Sequence, residues 1–328
     1  MTPAKKSVWV LADQRIGNLN QCVGVAEALG LPYQTKRIAY NRWARLPNLI
    51  LGPTLAHLSG DGASPISAPW PDIVIAAGRR TAPVARAIKR FSGGHTFLVQ
   101  TMWPGLPTAD LDLIAAPFHD RLNEHTNLIR TIGAPHNVTQ KRLNAAAKVW
   151  VQRLGGVPRP RIALLVGGNT RHHRFTSTLA GKLGRQTSDL VRKWGGGLMV
   201  STSRRTESVA RNALLESLED GTEIYIWRDE CGDNPYLAYL ALSDSVVVTG
   251  DSTSMCTEAC ATGRPVYIFA PAESTGAKHR RLHRMLYEYG SARPLSAALN
   301  SKSLTGWSYE PINDAAKIAR EIGRRIGL

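Results

Sequence analysis

The chain has 328 residues, which suits two ordinary domains better than one, and at 43% hydrophobic content it can fill two α/β cores. Its formal net charge is +16, from 41 Lys and Arg against 25 Asp and Glu, so it attracts anions at long range without choosing among phosphate, nucleotide, nucleic acid and acidic membrane. The four cysteines, Cys22, Cys231, Cys256 and Cys260, make no CxxC pair and no histidine pair stands at zinc-finger spacing; buried reduced thiols in a cytosolic protein are expected instead.

Val8–Ala12 reads as the first strand. It is too short for a signal-peptide core and ends at Asp13. A turn over Asp13–Asn18 leads to a helix from Leu19 to Leu29, closed by Gly30 and Pro32. Residues 33–38 read as a second strand. The stretch 41–71 is broken by prolines, with a helix expected near 46–58. Asp72–Ala77, Thr96–Gln100, Leu111–Ala115 and Leu128–Thr131 read as further strands, with a helix over Thr81–Phe91. Lys141–Leu154 reads as a basic amphipathic helix. This alternation predicts an α/β fold with a doubly wound parallel sheet. Gly155-Gly156-Val157-Pro158-Arg159-Pro160 has linker chemistry, so the expected boundary puts one Rossmann-like domain at 1–155 and a second at 156–312.

The second half repeats the pattern. Strands are expected at Ile162–Val166, Gly197–Ser201, Glu223–Trp227, Ser245–Thr249 and Val266–Phe269. Helices are expected near 176–193, 206–218, 235–242, 252–262 and 278–289, with a terminal amphipathic helix over Asn313–Ile326. Arg79-Arg80-Thr81-Ala82-Pro83-Val84-Ala85-Arg86 is echoed by Arg204-Arg205-Thr206-Glu207-Ser208-Val209-Ala210-Arg211. Both follow a strand and open a helix, which assigns Thr81 and Thr206 as N-caps and supports two Rossmann-like halves. No run of about 18 uncharged apolar residues is present, so no membrane-spanning helix is expected.

The most informative stretch is DSVVVTGDSTSMCTEACATGRPVYIF, from Asp244 to Phe269. A β-branched strand breaks at Gly250 and Asp251, and Ser252, Thr253 and Ser254 offer hydroxyls where the next helix begins. Open α/β sheets bind ligands at that edge, and a helix N-terminus favours anions. Glu258 follows among small residues, able to accept hydrogen bonds from a ribose diol. This stretch resembles the nucleotide-sugar segment of two-domain (GT-B) glycosyltransferases, such as the peptidoglycan N-acetylglucosaminyltransferase, and of the non-hydrolysing UDP-N-acetylglucosamine 2-epimerases. It is closer still to bacterial relatives of the plant mitochondrial-fission "elongated mitochondria" family. That likeness continues through ADQRIGNLNQ (12–21), AGRRTAPVA (77–85), FHD (118–120), GAPHNVT (133–139), VGGNTR (166–171) and SRRT (203–206).

The resemblance implies two Rossmann-like domains facing a cleft, with the terminal helix, 313–328, packing back on the first. By the same resemblance Glu258 matches the ribose-binding carboxylate, and the turn Gly167-Gly168-Asn169-Thr170-Arg171 matches a Gly-rich contact to the nucleotide diphosphate. From the residues themselves, paired glycines allow backbone N–H groups to approach phosphate, and Arg171 and Arg204 add charge-assisted donors. Asp251, Ser252, Thr253 and Ser254 complete the expected nucleotide side. Arg79 and Arg80 are expected to meet an acceptor or close over the diphosphate. The transferase carries a histidine-bearing loop where this chain has Asp13-Gln14-Arg15-Ile16-Gly17-Asn18, so Asp13 or the pair His119 and Asp120 is the candidate base.

His172-His173, between Arg171 and Arg174, fits a membrane or phosphate contact as well as a catalytic one. Lys278-His279-Arg280-Arg281-Leu282-His283-Arg284 fits a solvated helix face, anionic lipid or a lipid-linked acceptor. No RRM, KH or zinc-knuckle pattern occurs, so nucleic acid is not an expected partner. Three functions remain open. One is a metal-independent glycosyltransferase, cytoplasmic or peripheral on the inner face of a membrane, using a nucleotide-diphosphate sugar and no cofactor. The others are an epimerase on the same scaffold and a non-catalytic membrane-associated adaptor.

Overall fold

A computed structural model describes residues 6–60, 63–218, 222–225, 233–301 and 306–328. By internal contacts the chain forms two units, Met1–Asn137 with Asn313–Leu328, and Val138–Ile312.

The first unit opens with β1 (Val8–Ala12), α1 (Ile16–Leu29), β2 (Tyr33–Arg37), α2 (Asn48–Leu51), β3 (Ile73–Ala77), α3 (Ala82–Phe91), β4 (Phe97–Thr101), β5 (Leu113–Pro117) and β6 (Leu128–Thr131). Its six strands are all parallel, in the order β2-β1-β3-β4-β5-β6. β1, β3 and β5 are buried at every position, as continuous apolar runs in a doubly covered parallel sheet should be. Side chains alternate between two cores. Val8, Val10, Ile73 and Ile75 face α1, whereas Trp9, Leu11, Val74 and Leu98 face α3.

α1 begins earlier than the sequence predicts because Asp13 organises its entry: Asp13 Oδ1 accepts from the Arg15 amide at 2.9 Å and Oδ2 from Asn18 Nδ2 at 3.1 Å. The helix expected near 46–58 shrinks to α2, bracketed by Pro47 and the Gly52-Pro53 stop.

The second unit continues with α4 (Gln140–Trp150), β7 (Arg161–Val166), α5 (Ser177–Trp194), β8 (Gly197–Thr202), α6 (Ser208–Leu215), β9 (Glu223–Tyr225), α7 (Tyr236–Leu242), β10 (Ser245–Thr249), α8 (Thr253–Cys260), β11 (Val266–Phe269), α9 (Ala277–Glu288), β12 (Ala292–Pro294) and α10 (Leu295–Asn300). The six parallel strands run β12-β11-β10-β7-β8-β9. Ile162, Leu164 and Val166 pack against Leu179, Leu183 and Leu190 of α5. The predicted strand end at Trp227, and Cys231, lie outside the described residues.

The terminal helix α11 (Asp314–Ile326) packs on α1 within the first unit. Asp314 fixes its start: the carboxylate accepts from the amides of Gly133 at 2.8 Å and Ile132 at 3.2 Å. The division between units falls at Asn137 and Val138, not at Gly155–Pro160. That glycine-proline segment is fastened to the second sheet, with Arg161 Nε donating to the Val157 carbonyl at 2.9 Å and the Gly197 amide to Pro160 at 3.2 Å. α4 therefore packs on α7, within the second unit.

Candidate functional site

In an open parallel sheet the crossover connections leave opposite faces where the strand order reverses, and the gap outside the carboxyl ends there is the usual ligand position. In the first unit that point lies between β1 and β3, and in the second between β7 and β10.

At the second unit's edge three turns are knitted together. The Gly167 amide donates to Thr249 Oγ1 at 2.7 Å and the Gly168 amide to Asp251 Oδ2 at 3.0 Å. Arg205 Nη1 lies 2.8 Å from the same Asp251 oxygen and donates to the Asn169 carbonyl at 3.0 Å. The Gly167 carbonyl accepts from Thr206 Oγ1 at 2.7 Å and from Ser203 Oγ. A Cβ on Gly167 would strike the Asp251 carboxylate, and one on Gly168, at φ 138°, would strike the Arg205 carbonyl. The paired glycines thus do not present their amides to a phosphate, as the sequence suggested. The close approach of Asp251 and Arg205 requires glycine and uses those amides. Asp251 is a strut of this lattice, only 6% exposed.

Asn169 is tied in through Oδ1, which accepts from the Phe175 amide at 2.8 Å. Arg171 and Arg204 are exposed, and the arginine held at the lattice is Arg205, which sequence reasoning passed over. Ser252 caps α8, its hydroxyl accepting from the Met255 amide at 3.4 Å. Thr253 and Ser254 are half-buried, and as first residues of the helix their amides have no carbonyl behind them to bond. Glu258 is 8% exposed, with Oε2 accepting from Tyr236 Oη at 2.5 Å. Burial pushes its carboxyl up to about 7, against the opposing pull of the Tyr236 hydrogen bond. A ribose diol would therefore share Glu258 with Tyr236, a residue the sequence gave no sign of. The predicted N-caps Thr81 and Thr206 do not cap. Thr81 Oγ1 donates to the Ala77 carbonyl at 2.8 Å, and α6 starts one residue after Thr206, behind Glu207. A hydroxyl can serve an amide or a carbonyl, and here the strand-end carbonyls take it.

Two histidines join this edge. His173 Nδ1 lies 3.2 Å from the Glu273 carbonyl, and His279 sits near Asp251 and Arg205 at the start of α9. α9 buries Leu282, His283 and Leu286 and turns Lys278, Arg280 and Arg284 outward, so the basic run is largely a solvent-facing surface.

At the first unit's edge Asp13 is buried, and both its oxygens serve the entry to α1, with Arg80 Nη2 a further 3.8 Å from Oδ2. The Arg80 guanidinium lies over the Tyr40 ring, 4.7 Å from its centroid, and that ring stacks on His57. Arg79 is not offered to a ligand. It donates to the carbonyls of Leu46 at 2.5 Å and Ala44 at 2.9 Å, pinning the irregular segment before α2. His119 is buried in a single 3-10 turn after β5, its Nε2 3.8 Å from Asp120 Oδ1. β3 and β4 separate β1 from β5, so Asp13 and His119 are held about 14 Å apart by strand spacing and do not form one acid/base pair. Among the described residues no group of three or more His, Cys, Asp or Glu could hold a metal ion, and no helix is long and apolar enough to cross a membrane.

The family model described as Mitochondrial fission ELM1 matches residues 16–326. An uncharacterised protein of Rickettsia prowazekii is 30% identical over 349 aligned positions, covering 96% of this chain and 97% of the relative. The mitochondrial fission protein ELM1 of Arabidopsis thaliana is 29% identical over 78% of this chain, which spans 64% of that protein. In fold, the UDP-GlcNAc 2-epimerase of Methanocaldococcus jannaschii superposes with a TM-score of 0.59 at 13% identity, over 98% of this chain and 99% of its own. Its complex with UDP-GlcNAc and UDP gives 0.54 at 12% identity, over 98% and 99%.

Proposed function

The chain belongs to the mitochondrial fission ELM1 family, and within it we propose that the second unit binds a nucleotide-diphosphate sugar at the carboxyl edge of β7 and β10. The observation that carries this reading is the Asp251–Arg205 lattice beside the start of α8. It fixes three turns rigidly and cancels its only ionised carboxylate with an arginine. The α8 N-terminus, with the Thr253 and Ser254 amides and hydroxyls, then meets the diphosphate. Glu258, shared with Tyr236, takes the ribose. The Methanocaldococcus epimerase, alike in fold, is named for UDP-GlcNAc and was solved with UDP, which supports a uridine diphosphate as first probe.

Of the reactions open to such a binder, transfer of the sugar asks least of the chain. It needs one base and a stabilised leaving diphosphate. Epimerisation needs several acid/base groups close together, and Asp13 and His119 stand apart. Isothermal titration with UDP and UDP-GlcNAc tests the binding. Micromolar to millimolar affinity, weakened in Ser254→Ala and Glu258→Ala with unfolding temperature near that of the parent, supports it. No heat and no thermal shift with any UDP, GDP or TDP sugar removes it. UDP release that depends on an added acceptor separates transfer from epimerisation. A second reading, binding without turnover, is favoured by the full engagement of Asp13 with Arg15 and Asn18. It predicts binding with no UDP release.

A further inference from the structure

Gly276 is the N-cap residue of α9, and its φ of −79° is open to any residue. Its lack of a side chain therefore concerns space. The point where a Cβ would stand lies 3.1 Å from His173 Nε2 and 3.8 Å from His279 Nδ1. Two imidazole nitrogens, from the loop after β7 and the first turn of α9, thus converge on one spot. His279 Nδ1 is buried and without a partner among the described residues. His173 is fixed in one tautomer by simple logic: a carbonyl only accepts, so the nitrogen facing the Glu273 carbonyl must carry the proton. Neutral His173 then turns a bare lone pair, its Nε2, toward Gly276. An anion can sit there only if that nitrogen first takes up a proton.

From this convergence we infer that His173 and His279 form a proton-coupled clamp for the terminal phosphate of a nucleoside diphosphate. The clamp rests on the nucleotide reading above and names the part of the ligand it grips. In the step, one proton passes from solvent to His173 Nε2 as the phosphate enters, and no bond of the ligand breaks. The surroundings suit it. His279 faces Asp251, Arg205, Lys278 and His173, and its pKa is lowered first by burial, so the free protein holds it neutral until an anion arrives. Arg205 brings fixed positive charge from the turn after β8, and the unpaired amides at the start of α9 add theirs. Arg171, His172 and Arg174 flank His173 in its loop. A terminal phosphate, free in UDP but esterified in a UDP-sugar, gains most, so the clamp favours the departing product over the intact donor.

The test is titration calorimetry with UDP at pH 7 in buffers of different ionisation enthalpy. Phosphate meeting only permanent cations releases protons. The clamp takes them up, and about half to one proton per UDP is expected, with affinity rising several-fold from pH 8 to pH 6.5. His173→Asn keeps a donor to the Glu273 carbonyl but has no second nitrogen, and should abolish most of the uptake and the pH slope while leaving the unfolding temperature unchanged. UMP, lacking the second phosphate, should show neither in the parent protein. Release of protons on UDP binding, or equal uptake in His173→Asn, overturns the clamp. If UDP fails to bind, inorganic pyrophosphate decides the matter. Binding with proton uptake keeps the clamp and removes the nucleotide reading, and failure of both ligands removes the clamp.

Discussion

Replacing Glu258 with Gln should stabilise the second unit at alkaline pH and weaken its nucleotide site. The carboxyl is buried, and burial pushes it from an ordinary value of 4.5 up to about 7. Between those limits the folded protein retains a proton that the unfolded chain has lost. Stability must then fall as pH rises from about 4.5 to 7 and level off above. The full loss is on the order of 3 kcal/mol, at about 1.4 kcal/mol per pH unit of difference. Gln removes it without removing the hydrogen bond, since the amide oxygen still accepts from Tyr236 Oη. Urea unfolding followed by tryptophan fluorescence at pH 5, 6.5 and 8 measures the effect. The variant should match the parent at pH 5 and exceed it by up to about 3 kcal/mol at pH 8. UDP affinity should fall in the same variant, because a neutral amide binds a ribose diol less strongly than a carboxylate. Parallel pH curves for parent and variant, or a variant less stable at pH 8, would refute the account of Glu258 as a buried acid retained at the expense of stability.

Arg205→Ala leaves the Asp251 carboxylate buried without its cation and should cost about 3–5 kcal/mol in the second unit's unfolding transition. Adding Asp251→Asn should restore part of that, and Arg204→Ala, on an exposed side chain, should change stability by no more than about 0.5 kcal/mol. Asp314→Ala leaves the amides of Ile132 and Gly133 without their acceptor and should cost about 1–3 kcal/mol. It should show as faster hydrogen exchange in α11 and α1, and unchanged exchange there would sink the anchoring role.

The parallel sheets were legible because a strand buried on both faces needs an unbroken apolar run, and Ile73–Ala77 or Ser245–Thr249 can serve as little else. β12 and α10 escaped notice because Ala292-Arg293-Pro294 carries no such run and gains its place by pairing with β11. At the site, the chemistry of Ser252 as an N-cap could be read from the chain. The use of the Gly167 and Gly168 amides could not, because it depends on Asp251 arriving from a turn more than 80 residues away. The choice of Arg205 over Arg204 is of the same kind. Adjacent residues in a turn point apart, and only the tertiary position of Asp251 selects one. A clue lay in the echoed Arg-Arg-Thr. In both units the second arginine approaches an aspartate at the end of another strand, Arg80 toward Asp13 and Arg205 toward Asp251, and the threonine bonds strand-end carbonyls.

The charge balance at the second unit's edge narrows what it can hold. Asp251 is cancelled by Arg205, and Glu258 is near half-protonated at neutral pH. What remains unbalanced is positive: Arg171 and Arg204 exposed beside the lattice, a chain of net charge +16 behind them, and the positive ends of α8 and α9. A neutral sugar draws little from that field and would have to displace water from polar groups for modest return. A ligand with two or three negative charges is drawn in by it, and the attraction should weaken with salt as the Debye length contracts to about 8 Å at physiological ionic strength. The edge is therefore a seat for the diphosphate first, with any sugar held through the phosphates that carry it.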